Sequence, residues 1–279
     1  MIRGGQAALD LCLEVRDFVL ELEDPAGASY LGEPLLYPET KVLFEPPLSN
    51  PGKIICPGLN FEEHVTESKS AAFLSRPPFP MAFARFASTL IGHRRPVIHP
   101  SRTACLDYEV EMAVIIGTEA RSVPREKALS MVWGYTVFND LSVRDLQLAE
   151  MKAGFLLAGK NMDTLGPIGP WAVTAEEIRD PHLLDLRLKV NGELRQSSST
   201  RFMIYRFDEL IAYWSSVLTL HPGDIITSGT PSGVAMGRKP DPSPYYLKPG
   251  DVVEAEIENI GTLVNPIVSD SQRHQQSPR

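Results

Sequence analysis

Apolar residues in this chain fall mostly into short runs between sharp turns, the pattern of strands rather than of long helices. Residues 53–56, 112–116, 134–138, 183–190, 224–228 and 252–257 each read as strands. Asn191-Gly192 follows one of them, and this dipeptide favours the left-handed backbone of a two-residue hairpin. Asn259-Ile260-Gly261 sits between 252–257 and 262–264 as a closing hairpin. Residues 208–218 carry a helical stripe instead: Leu210, Ile211, Trp214, Val217 and Leu218 recur at helical spacing, predicting an amphipathic helix whose stripe is core. Near the N-terminus, Leu9, Cys12, Leu13, Arg16, Phe18, Val19 and Leu22 suit a helix, while Leu11, Val15 and Leu20 also permit a strand. Residues 26–57 are rich in Pro and Gly, an irregular lead-in. The chain therefore divides into an N-terminal segment or small appendage over 1–52 and a main domain over 53–268. A Gln-, Ser- and His-rich tail over 269–279 is expected to be disordered.

Composition narrows the function. At 279 residues and 43% hydrophobic content the chain can bury one large core. A formal charge of -8 with no Lys/Arg-rich run argues against a nucleic-acid surface. No apolar run approaches membrane-spanning length, and Asp10, Glu14, Arg16 and Asp17 interrupt any signal-peptide core. Cys12, Cys56 and Cys105 are odd in number and lack ligand-like spacing, so neither a disulfide framework nor a zinc site is expected. A small-molecule partner and a reducing, cytoplasmic location follow as expectations.

The candidate chemistry begins with Glu109 and Glu111, two residues apart where the chain enters the apolar run 112–116. On a strand they share one face, and like charges that close to an apolar interior must share a proton or a cation. The alternative is a Glu-x-Glu that simply faces water. Asp140, after the run 134–138, is either a third ligand or the N-cap of a helix beginning at Leu141. Three carboxylates without a nearby His or Cys favour Mg²⁺ or Mn²⁺ with open positions for substrate oxygens. His64 and Glu67 stand at i and i+3, within reach on one helical turn, where a carboxylate raises imidazole basicity; an exposed polar turn is the plainer reading. Residues 68–80 suit a mobile cover or an ordinary loop. Arg85 and Ser88 could face an anionic substrate, and Lys160 is either a counter-ion or a surface lysine. The turn Gly229-Thr230-Pro231-Ser232-Gly233 offers backbone donors to a carboxylate, or only reverses the chain.

Taken in order, Gly58-x-Asn60-Phe61-x-x-His64, Pro80-x-x-Phe83, Asp107-Tyr108-Glu109-x-Glu111, Asn139-Asp140-x-Ser142-x-Arg144-Asp145-x-Gln147, Gly159-Lys160, Val190-Asn191-Gly192-Glu193, His221-Pro222-Gly223-Asp224 and Gly229-Thr230-Pro231-x-Gly233 resemble the fumarylacetoacetate hydrolase family. The likeness lies in its branch of acylpyruvases, oxaloacetate decarboxylases and hydroxymuconate-type isomerases and spans about residues 53–266. It implies an α+β fold, a mixed β-sandwich roll with few short helices, usually a homodimer. It implies Mg²⁺ or Mn²⁺ on Glu109, Glu111 and Asp140, with His64 and Glu67 as the water-activating dyad. By the same likeness Lys160 stabilises developing negative charge, Arg144 and Gln147 orient the substrate, and Thr230 contacts its carboxylate. Two stretches depart from the family's habit: Phe83-Ala84-Arg85 replaces a frequent Phe-x-Lys, exchanging a point charge for a planar fork, and Phe155, Leu156 and Leu157 stand where many members place a Trp.

Such a site suits bond changes next to a carbonyl in a small 2-oxo acid or 1,3-dicarbonyl compound. Hydroxide delivered by the dyad gives hydrolysis of an acylpyruvate-like C–C bond, the leading expectation. Loss of carbon dioxide gives an oxaloacetate decarboxylase, and movement of a proton alone gives a hydroxymuconate-type isomerase or tautomerase. A non-catalytic ligand-binding member of the family is the remaining alternative.

Overall fold

A computed structural model describes residues 2–67 and 77–275. It forms two compact units, Met1–Leu43 and Phe44–Arg279. In the first, the ambiguous N-terminal pattern resolves as helix α1 (Gly5–Leu20), followed by the minimal hairpin β1 (Ser29–Tyr30) and β2 (Glu33–Pro34). No residue within α1 after Gly5 is Gly or Pro, so nothing interrupts its hydrogen-bond ladder.

The second unit begins with β3 (Ile54–Pro57) and the short helix α2 (Glu62–Glu67), then β4 (Ala82–Ala84), β5 (Leu90–Ile91), β6 (Val97–His99) and β7 (Leu106–Asp107). The long pair β8 (Val110–Ile116) and β9 (Val132–Asn139) flanks α3 (Arg125–Ala128). After them come β10 (Ser142–Val143), α4 (Arg144–Lys152), β11 (Gly166–Thr174), β12 (Asp185–Val190) and β13 (Glu193–Ser199). The chain closes with α5 (Phe207–Val217), β14 (Ile225–Thr227), β15 (Val252–Ile257) and β16 (Gly261–Ser269). Ser269, where the disordered tail was expected to begin, ends β16, and Asp270–Gln275 continues as a 3₁₀ turn.

Seven strands form one sheet in the order β4-β3-β14-β8-β9-β11-β5, and five form another in the order β13-β12-β15-β16-β6. Both are mixed: β14 runs parallel to β3, β11 to β5 and β16 to β6, while the remaining pairs are antiparallel. Strands β12, β15 and β16 pack on β8, β9 and β11, giving the α+β sandwich roll with few helices. Asn191 and Gly192 both have positive φ, 52° and 78°, and turn β12 into β13 as their sequence predicts. α5 matches the expected helix within a residue at each end, although Val217 of its stripe is exposed.

Strand alternation decides where the charge goes. Val110, Met112, Val114 and Ile116 of β8 point into the main core between the sheets. Ala113 points the other way, into a smaller apolar cluster with Ile54, Cys56, Phe138, Ile168 and Ile225 on the outer face. Glu111 shares the parity of Ala113. Its carboxylate is therefore kept out of the sandwich interior without leaving the buried part of the molecule.

Candidate metal centre and proton-transfer site

Register brings the acidic residues together. β8 pairs with β9 so that Val110 opposes Asn139 and Glu111 opposes Phe138. Glu109, just before β8, and Asp140, just after β9, are thereby neighbours, and Asp140 N–H donates to Glu109 O at 2.9 Å. One carboxylate oxygen from each of Glu109, Glu111 and Asp140 lies within 4.8 Å of the others, and all three residues are buried. Asp140 is not a helix cap: β10 intervenes, α4 starts at Arg144 and its N-cap is Val143.

Three cations are built into the surroundings. Lys160 Nζ donates to Glu109 Oε2 at 2.7 Å and also to Asp140 Oδ2. Arg144 donates through Nη2 to Glu109 Oε1 at 2.5 Å, through Nε to Asp107 Oδ2 at 2.8 Å and through Nη1 to Gln147 Oε1 at 2.8 Å. Arg85 Nε pairs with Asp140 Oδ1 at 2.5 Å, while its Nη1 and Nη2 donate to the Leu165 and Leu141 carbonyls at 2.8 and 2.7 Å. Four buried carboxylates, counting Asp107, thus face three buried cations, leaving one net negative charge. Glu111 has no cation of its own. Its Oε2 has no hydrogen-bond partner among the described residues, and burial, then the charges of Asp140 and Glu109, push its pKa well up. For Glu109 burial also pushes upward, but Arg144, Lys160 and His64 outweigh it and hold the carboxyl well below the usual range. A buried acid centre with surplus negative charge and an oxygen left unbonded fits a hard divalent cation.

The dyad is assembled as the i, i+3 spacing predicts. α2 places His64 Nδ1 at 3.4 Å from Glu67 Oε2, with His64 buried. His64 stands close enough to Glu109 for its charge to act on that carboxylate. Both oxygens of Glu67 accept from Gly233 N, at 2.9 and 3.1 Å, so the donor-rich turn does bind a carboxylate, the protein's own. Gly233 is at φ 102°, where a side chain is strained, and a Cβ there would overlap Arg195 O.

Other expected site residues are placed differently. Arg85 and Arg144 spend their forks on protein acceptors and fix Asp140 and Glu109. Thr230 donates to Val110 O at 3.0 Å and accepts from Gln196 Nε2 at 3.0 Å, so its hydroxyl is committed within the fold. Ser88 is exposed on the 3₁₀ turn Ala87–Thr89. The expected cover over 68–80 lies outside the described residues for 68–76.

Two positioning carboxylates were not singled out by sequence reasoning. Asp107 accepts from Ala235 N at 2.7 Å and Met236 N at 3.0 Å besides Arg144, tying the turn after Gly233 to the acidic centre. Glu150 accepts from Leu157, Ala158 and Gly159 N–H at 3.0, 2.7 and 3.0 Å, fixing the loop that presents Lys160. Against burial, these backbone donors lower its pKa. A Glu nine residues before a Gly-Lys pair was the available signal for Glu150; Asp107 stands inside the very motif that singles out Glu109.

Comparison with known proteins adds a family to this geometry. The family described as Fumarylacetoacetate (FAA) hydrolase C-terminal matches residues 53–268. A mitochondrial oxaloacetate tautomerase of Rattus norvegicus is 41% identical over 233 residues, covering 84% of this chain and 72% of the relative. Among solved structures, 5-carboxymethyl-2-hydroxymuconate delta-isomerase from Mycobacterium smegmatis is similar with TM-score 0.71 and 34% identity over 84% of this chain and 83% of that one. Maleylpyruvate hydrolase from Sphingobium sp., in complex with manganese (II) ion and pyruvate, gives TM-score 0.68 and 33% identity over 83% and 76%.

Proposed function

The chain belongs to the fumarylacetoacetate hydrolase family, and from that premise we propose that it is a divalent-metal-dependent enzyme moving a proton between the keto and enol forms of a small 2-oxo acid of the oxaloacetate type. The observation that carries the reading is a buried histidine, held at Nδ1 by Glu67, within electrostatic reach of the buried Glu109–Glu111–Asp140 cluster. The residues alone put C–C hydrolysis first. The tautomerase and isomerase among the similar proteins favour the alternative, so hydrolysis becomes the second reading, supported by the maleylpyruvate hydrolase neighbour.

Glu109, Glu111 and Asp140 would hold Mg²⁺ or Mn²⁺, which when bound supplies Lewis-acid polarisation of the keto and carboxylate oxygens of a 2-oxo acid. His64 takes a proton from the carbon beside the keto group through Nε2, its Nδ1 being turned to Glu67. Glu67, fixed by Gly233 N–H, stabilises the imidazolium that results. The Lys160 ammonium, buried beside Glu109 and Asp140, supplies positive charge to the enolate oxygen. Return of the proton to that oxygen completes the enol; one C–H bond breaks and one O–H bond forms.

The test is the decay of the oxaloacetate enol absorbance with metal-stripped and metal-restored protein, products identified. Metal-dependent acceleration without carbon dioxide supports the tautomerase. Two acids formed from acetylpyruvate would favour the hydrolase, and metal binding without turnover of any 2-oxo acid the silent binder. We also read the assembly as a homodimer, supported by the apolar side chains of Leu148, Met151 and Phe155 exposed on and after α4; sedimentation equilibrium tests this. For the compartment, the mitochondrial relatives extend the expectation from cytoplasm to any reducing compartment, the mitochondrial matrix included. Among the described residues no helix is long and apolar enough to cross a membrane.

A further inference from the structure

Away from the three carboxylates, two guanidinium groups share one aromatic ring. Arg195 comes from β13, an edge strand of the five-stranded sheet, and Arg238 follows the 3₁₀ turn Ala235–Gly237. Their Cζ atoms lie 4.8 and 5.4 Å from the Tyr245 ring centroid. Arg238 Nη2 donates to Arg195 O and, at 3.1 Å, to Gly233 O, which locks the two chain segments together. Among the described residues, the one ion pair made by either arginine is Arg195 Nη2 with Glu193 Oε2 at 3.0 Å, on a side chain 66% exposed and hence weak.

Several donors remain. Arg195 Nε and Nη1 and Arg238 Nε are buried without a hydrogen-bond partner among the described residues. Tyr108, a fully buried residue, turns its Oη toward Arg238 without a hydrogen bond of standard geometry to it. Asp107 cannot serve them. Its Oδ1 accepts from Tyr108 N and Ala235 N, and its Oδ2 from Arg144 Nε and Met236 N. Buried guanidinium donors without acceptors, on two positive charges held against one ring, call for a compact acceptor carrying negative charge.

We propose that Arg195, Arg238 and Tyr108 form a second binding site, separate from the acidic centre, for a small oxyanion of the carboxylate or phosphate class. The fork geometry of arginine suits two oxygens of one such group, and the Tyr108 hydroxyl supplies a further donor. The site also connects to the dyad, because Arg238 holds the carbonyl of Gly233 while the N–H of the same residue holds Glu67. An anion there either is a free regulator of the turn or is the far carboxylate of a two-acid substrate.

The experiment is calorimetric titration of inorganic phosphate into metal-free full-length protein, comparing wild type with Arg195→Gln, Arg238→Gln and Arg195→Lys. Saturable one-to-one binding is expected in the wild type, weakened at least tenfold by either Gln substitution and partly kept by the Lys. Glu111→Gln, at the acidic centre, is expected to bind phosphate as the wild type does. Circular dichroism checks each fold; if Arg238→Gln unfolds, the Arg195 pair decides. Phosphate competing with oxaloacetate in turnover identifies the substrate's far carboxylate as the natural occupant, and a non-competitive effect identifies a free anion. Non-saturable binding, or wild-type affinity in both Gln variants, overturns the proposal. The titration needs no turnover, so it stands or falls apart from the tautomerase assignment.

Discussion

The acidic centre and the His64–Glu67 dyad are held in different ways. Glu109, Glu111 and Asp140 hang from two long paired strands, and every neighbouring charge is tied at least twice: Arg144 to Asp107 and Glu109, Lys160 to Glu109 and Asp140, Arg85 to Asp140 and two carbonyls. The dyad sits on a helix of six residues, and its carboxylate, Glu67, is held from outside that helix by the peptide N–H of Gly233. A metal centre needs fixed oxygens whatever the substrate does, whereas a proton-transferring pair must change its charge and hydrogen bonding in each turnover. On the proposed function, the contrast separates a rigid electrostatic platform from an adjustable base.

Four perturbations would break or sharpen that contrast. His64→Ala removes the base alone; turnover is expected to fall about 10²–10⁴-fold, with Mn²⁺ affinity by calorimetry unchanged, and a normal rate would remove His64 from the mechanism. Arg144→Ala attacks the platform: with Asp107 left buried without its cation and Glu109 keeping Lys160 alone, stability should drop by about 3–5 kcal/mol in denaturant unfolding. Gly233→Ala attacks the peptide N–H that holds Glu67, through positive φ and overlap with Arg195 O. It is expected to cost about 1–3 kcal/mol, and to lower turnover more than metal affinity. Glu150→Gln weakens the loop before Lys160 by about 1 kcal/mol. Because the folded protein lowers the Glu150 pKa, this carboxylate's contribution is fully present above the unfolded glutamate pKa of about 4.3 and is lost as pH falls through the lowered value. The stability gap between wild type and Glu150→Gln should therefore narrow in acid, measured by unfolding at pH 7 and at pH 3.

Legibility in the sequence follows the range of the interaction. Glu109 and Glu111 could be found because the strand period puts them on one face, and His64 with Glu67 because the helical period does the same. The hairpin at Asn191-Gly192 and the core stripe of α5 are equally local. What escaped were the partners. Nothing near Arg144 in the chain says that its fork closes on Asp107 and Glu109 from thirty-odd positions away, so its family role as a substrate contact looked sufficient. Asp140 was ambiguous for the same reason, since only the tertiary register excludes a cap. Arg85 could be read as a cation, but its carbonyl acceptors at Leu141 and Leu165 belong to other segments.

The insertion of β14 has a consequence for how this molecule is made. β14 lies between β3 and β8, so the first and middle parts of the seven-stranded sheet are joined by a strand from the last quarter of the chain. Until that strand emerges, β3 and β8 expose unpaired edges, and such long-range closure is slow and prone to wrong association. The turn that grips Glu67 follows directly after β14. A newly synthesised chain therefore completes this sheet and the contact that holds Glu67 together, late, after its acidic residues have already emerged.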